Sequence, residues 1–238
     1  MCLIAIAHNA SPKFPLVVAA NRDEFYARPT RPAHVWEDDA RIVGGRDLRA
    51  GGSWLALRRG GRFAAITNVR GMGRGEGGPS RGGLVADFVR GEATPMEYAK
   101  SIRGSDYAGF HLIVGEDELV HASNSGVLGT IDGLFAISNA PPGEHWEKVD
   151  VARDFLAACV ARNETADDLA NDILQFLGSS RGGPIEREVF VKSPAYGTRS
   201  STVILCDAFG DFLFAEQNFG AGGAREGEPQ RYRFPFMT

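Results

Sequence analysis

Met1-Cys2-Leu3-Ile4-Ala5-Ile6-Ala7, the turn Asn9-Ala10-Ser11-Pro12, and then Leu16-Val17-Val18-Ala19-Ala20-Asn21-Arg22-Asp23-Glu24 form the opening of the chain. Both apolar runs are short, partly β-branched and bounded by turn residues, so they predict two strands paired as a hairpin. That hairpin brings Cys2 up to the polar knot at residues 21–24. Cysteine is small enough for an initiator methionine to be removed ahead of it. The expectation is a mature chain that begins with a thiol and a free α-amine on one residue.

Those two groups are useful together. A thiol with an ordinary pKa near ~8.5 is mostly protonated at neutral pH and needs activation. An α-amine titrates near ~7.7–8.0 and can take that proton. A cation beside the sulfur favours the thiolate and a carboxylate holds the ammonium; Arg22 and Asp23 are one of each. The competing assignment is structural. Free cysteine is often a small buried residue of a strand, and Asn21-Arg22-Asp23-Glu24 equally reads as a hydrogen-bonded network that fixes a sheet edge.

With 238 residues, 43% hydrophobic and 24% charged, the chain has ample material for a core. No internal repeat or linker divides it, so a single domain over 1–238 is expected. The formal charge of −4 argues against a nucleic-acid binder, although Arg58, Arg59, Arg62, Arg70, Arg74 and Arg81 leave room for a local anion site. Cys2, Cys159 and Cys206 are too few and too scattered for a disulfide framework or a zinc site. The opening apolar run is too short for a signal peptide or a membrane span. A cytoplasmic protein without metal or other cofactor is therefore expected.

The next stretch reads as β-rich. Residues 41–45 form a short strand, and 53–58 and 62–68 form a hairpin about Arg59-Gly60-Gly61. Asn68, where that hairpin ends, is either a turn former or a hydrogen-bond donor aimed into a site. Gly73-Arg74-Gly75-Glu76-Gly77-Gly78 matches G-x-G-x-x-G, but Pro79 follows where a helix should open, so a mobile loop or lid is the better reading. Helical spacing covers 84–89, and Thr94-Pro95-Met96-Glu97 is a capping box. Strands return at 109–114, 118–121 and 133–138, with His111 and His121 on neighbouring strands as packing residues. Trp146, Val149, Ala152, Phe155, Leu156 and Cys159 then follow a helical period. A second helix runs from Thr165 to a cap at Gly178, antiparallel to the first. Strands at 201–206 and 211–216 close the pattern about the turn 207–210, with Cys206 facing the core, and an aromatic tail follows from Tyr232 to Phe236.

Strands first, helices in the middle and strands last predict an α+β fold. The expected form is a four-layer αββα sandwich, two stacked and mainly antiparallel sheets covered by helices.

Several stretches carry a family resemblance: Met1-Cys2 with Asn21-Arg22-Asp23-Glu24, Gly44-Gly45-Arg46-Asp47, Gly51-Gly52-Ser53-Trp54-Leu55, Ser80-Arg81-Gly82, Ser138-Asn139-Ala140-Pro141 and Tyr196-Gly197-Thr198-Arg199-Ser200-Ser201. With Gly61-Arg62-Phe63-Ala64, Thr67-Asn68 and Tyr107-Ala108-Gly109-Phe110 they span nearly the whole chain. It resembles the NRDE family, also called the transport and Golgi organisation protein 2 family. That resemblance implies an association with haem handling and with lipid or acyl-CoA metabolism. The layout is also similar, more distantly, to the N-terminal-nucleophile hydrolases of the penicillin V acylase and bile salt hydrolase type. By that resemblance Cys2 is nucleophile and base together, Arg22 and Asp23 tune the thiol and the ammonium, and Asn139 helps hold an oxyanion. Asn68 and Arg199 follow as oxyanion and carboxylate contacts. Asn139 before Ala-Pro-Pro equally reads as a strand end, and Arg199 as a structural salt-bridge partner.

One departure matters. Those hydrolases hold their arginine and aspartate three residues apart, whereas here the two are adjacent, and adjacent side chains of a strand point to opposite faces. Without a bulge, either Asn21 with Asp23 or Arg22 with Glu24 is the pair turned towards the cysteine. The expected function is hydrolysis of an amide or thioester bond in a small or acylated substrate. The rival is a non-catalytic carrier for a hydrophobic ligand such as haem.

Overall fold

The computed structural model describes residues 2–72 and 78–235. The glycine-rich motif at 73–77, the fate of Met1 and the tail beyond Pro235 lie outside the described residues. In chain order the strands and helices are β1 (Cys2–His8), β2 (Leu16–Phe25), β3 (Thr30–Val35), β4 (Ile42–Asp47), β5 (Leu55–Arg58), β6 (Phe63–Asn68), α1 (Arg81–Arg90), α2 (Pro95–Ser101), β7 (Phe110–Gly115), β8 (Leu119–Ser123), β9 (Gly126–Thr130), β10 (Gly133–Ser138), α3 (Glu147–Arg162), α4 (Ala166–Leu177), β11 (Tyr196–Cys206), β12 (Phe212–Phe219) and β13 (Arg225–Phe234). All named pairings between strands are antiparallel. The fold is α+β, with two antiparallel sheets that each carry helices. No helix among the described residues is long and apolar enough to cross a membrane.

The chain divides into two compact units. One holds the described residues up to Arg28, Asp132–Ala140 and those from Glu144 onward. Its six-stranded sheet runs β10-β1-β2-β11-β12-β13, so the opening hairpin is central and its neighbours come from the far end of the sequence. Leu3, Ala5, Val17, Ala19, Val203 and Leu205 alternate onto one face and pack against Ala152, Leu156, Cys159 and Ile173 of α3 and α4. These helices are antiparallel to one another: Phe155 stacks on Phe176 with ring centroids 3.8 Å apart, while Arg162 reaches back to Asp172 at 2.9 Å. Cys2, Ile4, Val18, Ala20 and Arg22 fall on the opposite face by the same alternation.

The other unit, Pro29–Ile131 with Pro141–Gly143, contains a seven-stranded meander in sequential order, β3 to β9. Sequential antiparallel strands need only short connections, which is why hairpin signals there are easy to read. Its core joins Trp36, Ile42, Ala64, Phe88, Phe110 and Val114, with α1 and α2 on that face. Arg62, 1% exposed, is the polar exception. Its guanidinium donates to the carbonyls of Phe88 and Ala93 and to Glu116, at 2.6–2.8 Å, and lies over the Phe88 ring. Arg58 is paired with Glu92 at 2.8 Å. Two of the clustered arginines therefore hold the fold. The motifs Gly51-Gly52-Ser53 and Ser80-Arg81-Gly82 meet here: a Cβ on Gly52 would lie 2.3 Å from the Gly82 backbone, so the close approach requires glycine.

Several elements differ from the sequence expectations. β3 and β9 carry weak β patterns, β3 because Pro32 interrupts it, and an edge strand is where proline is tolerated. Tyr232 to Phe234 of the aromatic tail form the end of a ten-residue edge strand, β13. Cys206 is half-buried, not fully buried, at the end of β11, opposite Leu16 and on the same face as the buried Ile204. Burial, followed by the charges of Asp207 and Asp211, pushes its thiol up to about 11.

Candidate active site around Cys2

Cys2 is the first residue of β1 and stands opposite Arg22 of β2, which in turn stands opposite Ser200 of β11. On the other side, Leu3 pairs with Ser138, so the next residue, Asn139, flanks Cys2. The row Asn139, Cys2, Arg22, Ser200 thus crosses four strands at one end of the sheet. Cys2 is half-buried, while Arg22, Asn139 and Ser200 are 6%, 4% and 1% exposed. Nearly all buried polar atoms in folded proteins are hydrogen-bonded. Here Asn139 Oδ1 and Ser200 Oγ are buried without a hydrogen-bond partner among the described residues, as is the neighbouring Ser138 Oγ. Hydrogen-bonding capacity is left over around the sulfur. Arg22 lies 4.0 Å from Glu24 Oε2, an oxygen that Arg28 also approaches at 3.8 Å.

Strand alternation separates the tetrad at 21–24 into two faces. Arg22 shares the row of Cys2. Asn21 and Asp23 turn to the helix-covered side, where each is fastened. Asn21 Nδ2 donates to the carbonyls of Leu177 and Val189 at 2.9 and 2.8 Å, and its Oδ1 accepts from Ser201 Oγ at 2.6 Å. Asp23 Oδ1 accepts from Thr198 Oγ1 at 2.7 Å, and Thr198 Oγ1 accepts from the Val191 amide. Burial raises the Asp23 carboxyl above the usual range; the amino-terminal charge and then the Lys148 charge, the Thr198 hydrogen bond and the Arg22 charge act against it. A bulge in β11 between Thr198 and Ser200 lets this contact coexist with the Arg22–Ser200 pairing.

The bulge also throws Arg199 out of the row. Its Nη1 donates to the carbonyls of Phe25, Tyr26 and Arg28 at 3.1–3.3 Å, closing off the end of β2. Glu24 accepts from the Phe25 amide at 2.9 Å. Asn68 is the exposed last residue of β6, in the seven-stranded unit.

Sequence reasoning missed Lys148. It occupies the first turn of α3, is 0% exposed, and its Nζ has no hydrogen-bond partner among the described residues. The amine lies 5.2 Å from the centroid of the Trp146 ring. Burial lowers its pKa, opposed in order by the charges of Asp23, Cys2, Glu186 and Glu188. A signal was present: 148, 152, 156 and 159 share one helical stripe, and a lysine in an otherwise apolar stripe is out of place. Cys159 occupies the same stripe, 0% exposed, with its thiol pushed up to about 11 first by burial. Among the described residues no group of three or more His, Cys, Asp or Glu side chains could hold a metal ion.

Two antiparallel sheets that each carry helices, with the opening hairpin central in one of them, make an α+β fold of the kind seen in N-terminal-nucleophile hydrolases. An N-acylethanolamine-hydrolyzing acid amidase ortholog from Caenorhabditis elegans superposes with a TM-score of 0.54, covering 85% of this chain and 92% of that one at 13% identity. The C2A mutant of the conjugated bile acid hydrolase from Clostridium perfringens gives 0.51 over 98% and 92%, at 8% identity. The chain itself belongs to the Transport and Golgi organisation 2 family, whose profile matches residues 1–221. Relatives named Transport and Golgi organization protein 2 homolog, from Bos taurus and Homo sapiens, are 30% and 29% identical over the full length of both chains. The Drosophila melanogaster Transport and Golgi organization protein 2 is 26% identical over 91% of this chain and 92% of its own.

Proposed function

We propose that the protein is a cysteine hydrolase of N-terminal-nucleophile type that cleaves an amide or thioester bond of a small or acylated substrate. The observation that carries this reading is the row at the sheet's end, in which Cys2 stands between Arg22 and the buried, unpartnered amide oxygen of Asn139. With Met1 removed, the α-amine of Cys2 takes the thiol proton and the sulfur attacks the substrate carbonyl carbon. Asn139, through its amide N–H, stabilises the oxyanion of the tetrahedral intermediate. Collapse breaks the carbon–nitrogen or carbon–sulfur bond, and the leaving group takes the proton from the ammonium. Water, deprotonated by the amine, then releases the acyl group and regenerates the thiol. Arg22 favours the thiolate by its charge.

Intact mass with N-terminal sequencing and turnover of a panel of N-acyl amides and acyl thioesters test the reading together. The expected result is a chain starting at Cys2 whose Cys2→Ala variant loses activity by on the order of 10³-fold or more. Retained Met1, or full turnover by Cys2→Ala, would overturn it.

A further inference from the structure

His111 and His121 stand on β7 and β8, adjoining strands of the seven-stranded sheet. Leu112, Val114, Val120 and Ala122 of the same strands pack on the side of α1 and α2, so alternation turns both histidines to the other face. His111 pairs with Ser123, two residues beyond His121, which makes the two rings diagonal neighbours within reach of one another. Their centroids are 5.1 Å apart with the planes at 43°, and His111 Nδ1 comes to 3.1 Å from His121 Nε2. Two neutral rings that meet in this way share one proton in a hydrogen bond. The same separation suits a shared ion. Two nitrogens each ~2.0–2.1 Å from one metal, at roughly 100–110° to each other, lie about 3.1–3.4 Å apart. The pair is not sealed in, since both residues are partly exposed. A Cβ built on Gly129, which pairs with His121, would meet nothing within 4 Å, so there is room beside the rings. Burial lowers both pKa values and keeps the imidazoles in the neutral form that ligates.

We propose that His111 Nδ1 and His121 Nε2 form a two-histidine chelate for a divalent metal ion of the imidazole-preferring class, zinc, nickel or copper, on the face of this sheet turned away from α1 and α2. Among the described residues no third His, Cys, Asp or Glu side chain completes a metal site, so water or an exogenous ligand takes the remaining positions. Such open positions make the bound ion exchangeable and accessible, unlike the closed shell of a structural site. Binding breaks one N–H···N hydrogen bond and forms two metal–nitrogen bonds. The ring that held its proton between the two nitrogens moves it to its other nitrogen, so both rings stay neutral and no proton is released. Copper(II) is expected to bind more tightly than nickel or zinc. The site belongs to the seven-stranded unit and does not rest on the cysteine-nucleophile reading.

Zinc chloride titrated into the full-length protein at neutral pH tests the site, read by NMR of isotopically labelled histidine rings. Accessible thiols are first capped with iodoacetamide so that they do not compete. The chain has five histidines, and His8, His34 and His145 serve as internal controls. The His111 and His121 resonances are expected to move together and to saturate at micromolar zinc, while the controls move only at millimolar zinc. The midpoint of urea unfolding is expected to rise with zinc, because the ion binds the folded chain and stabilises it by mass action. His121→Gln leaves one imidazole with an amide neighbour. It is expected to lower zinc affinity at His111 by at least the roughly 10–100-fold that loss of an outer-shell partner costs, and to remove the rise in midpoint. If His121→Gln does not fold, the wild-type titration decides by itself. His111 and His121 resonances that move no earlier than the controls, or one that moves without the other, would overturn the site. So would wild-type zinc affinity in folded His121→Gln.

Discussion

Asn21 and Asn139 are both buried asparagines beside β1, yet their hydrogen bonding is opposite. Both donors and the oxygen of Asn21 are engaged by Leu177, Val189 and Ser201. Asn21→Ala therefore leaves buried carbonyls and a hydroxyl unpaired. A loss of about 3 kcal/mol is expected in urea unfolding, since each orphaned group costs roughly 1–3 kcal/mol. The oxygen of Asn139 holds nothing in place. Asn139→Ala is expected to leave unfolding within about 1 kcal/mol of wild type while lowering kcat about 100-fold, as removal of an oxyanion donor does. Equal losses of stability in the two variants would remove the distinction. At this scale Cys2, Arg22 and Asn139 were legible as candidates because Cys2 begins β1, Asn139 follows β10, and Arg22 lies in the Asn-Arg-Asp-Glu motif of β2. The fastening of Asn21 was not, since Leu177 and Val189 are about 160 residues away in sequence.

Single elements show where local chemistry suffices. The Thr94 capping box closes as its sequence requires: Thr94 Oγ1 accepts from the Glu97 amide, and Glu97 Oε2 accepts from the Thr94 amide at 3.0 Å. Thr94→Ala is expected to cost about 1 kcal/mol in thermal or urea unfolding. Between β7 and β8, His111 Nδ1 and His121 Nε2 are 3.1 Å apart. Burial lowers both pKa values, and with the His111 charge it takes His121 from 6.5 to about 4. A histidine with a depressed folded-state pKa binds its proton more tightly when unfolded, so it contributes full stability above pH 6.5 and loses it as pH falls towards 4. The His121 shift alone corresponds to about 3 kcal/mol. Urea unfolding between pH 7 and pH 4 is expected to show this loss, and His121→Leu to flatten it. A variant as acid-sensitive as wild type would assign the loss to other groups.

For the whole molecule, the order of strands decides when the site exists. β1 and β2 lie in the middle of their sheet, but β10 and β11, which flank them, begin at Gly133 and Tyr196. A fragment ending at residue 131 retains Cys2, Arg22 and Asp23 yet lacks Asn139, Lys148, Thr198 and Ser200. In that fragment turnover of the N-acyl amide and acyl thioester panel is expected to be lost. Turnover retained there would show that the opening hairpin is sufficient by itself.

The residues alone determined the hairpin at the amino terminus, the sequential strands that follow, the four helices and the α+β class, because periodicity, caps and turn chemistry act over a few residues. Tertiary structure decided which side chains of 21–24 share the row of Cys2, that Arg199 straps the end of β2, that Cys206 is only half-buried, and that a lysine from α3 is fully buried. The first depends on the exact register of the opening hairpin, Cys2 opposite Arg22, and the others on pairings between segments more than a hundred residues apart or on a bulge that shifts register by one residue. A one-residue shift reverses which face a side chain occupies, and no local pattern records it.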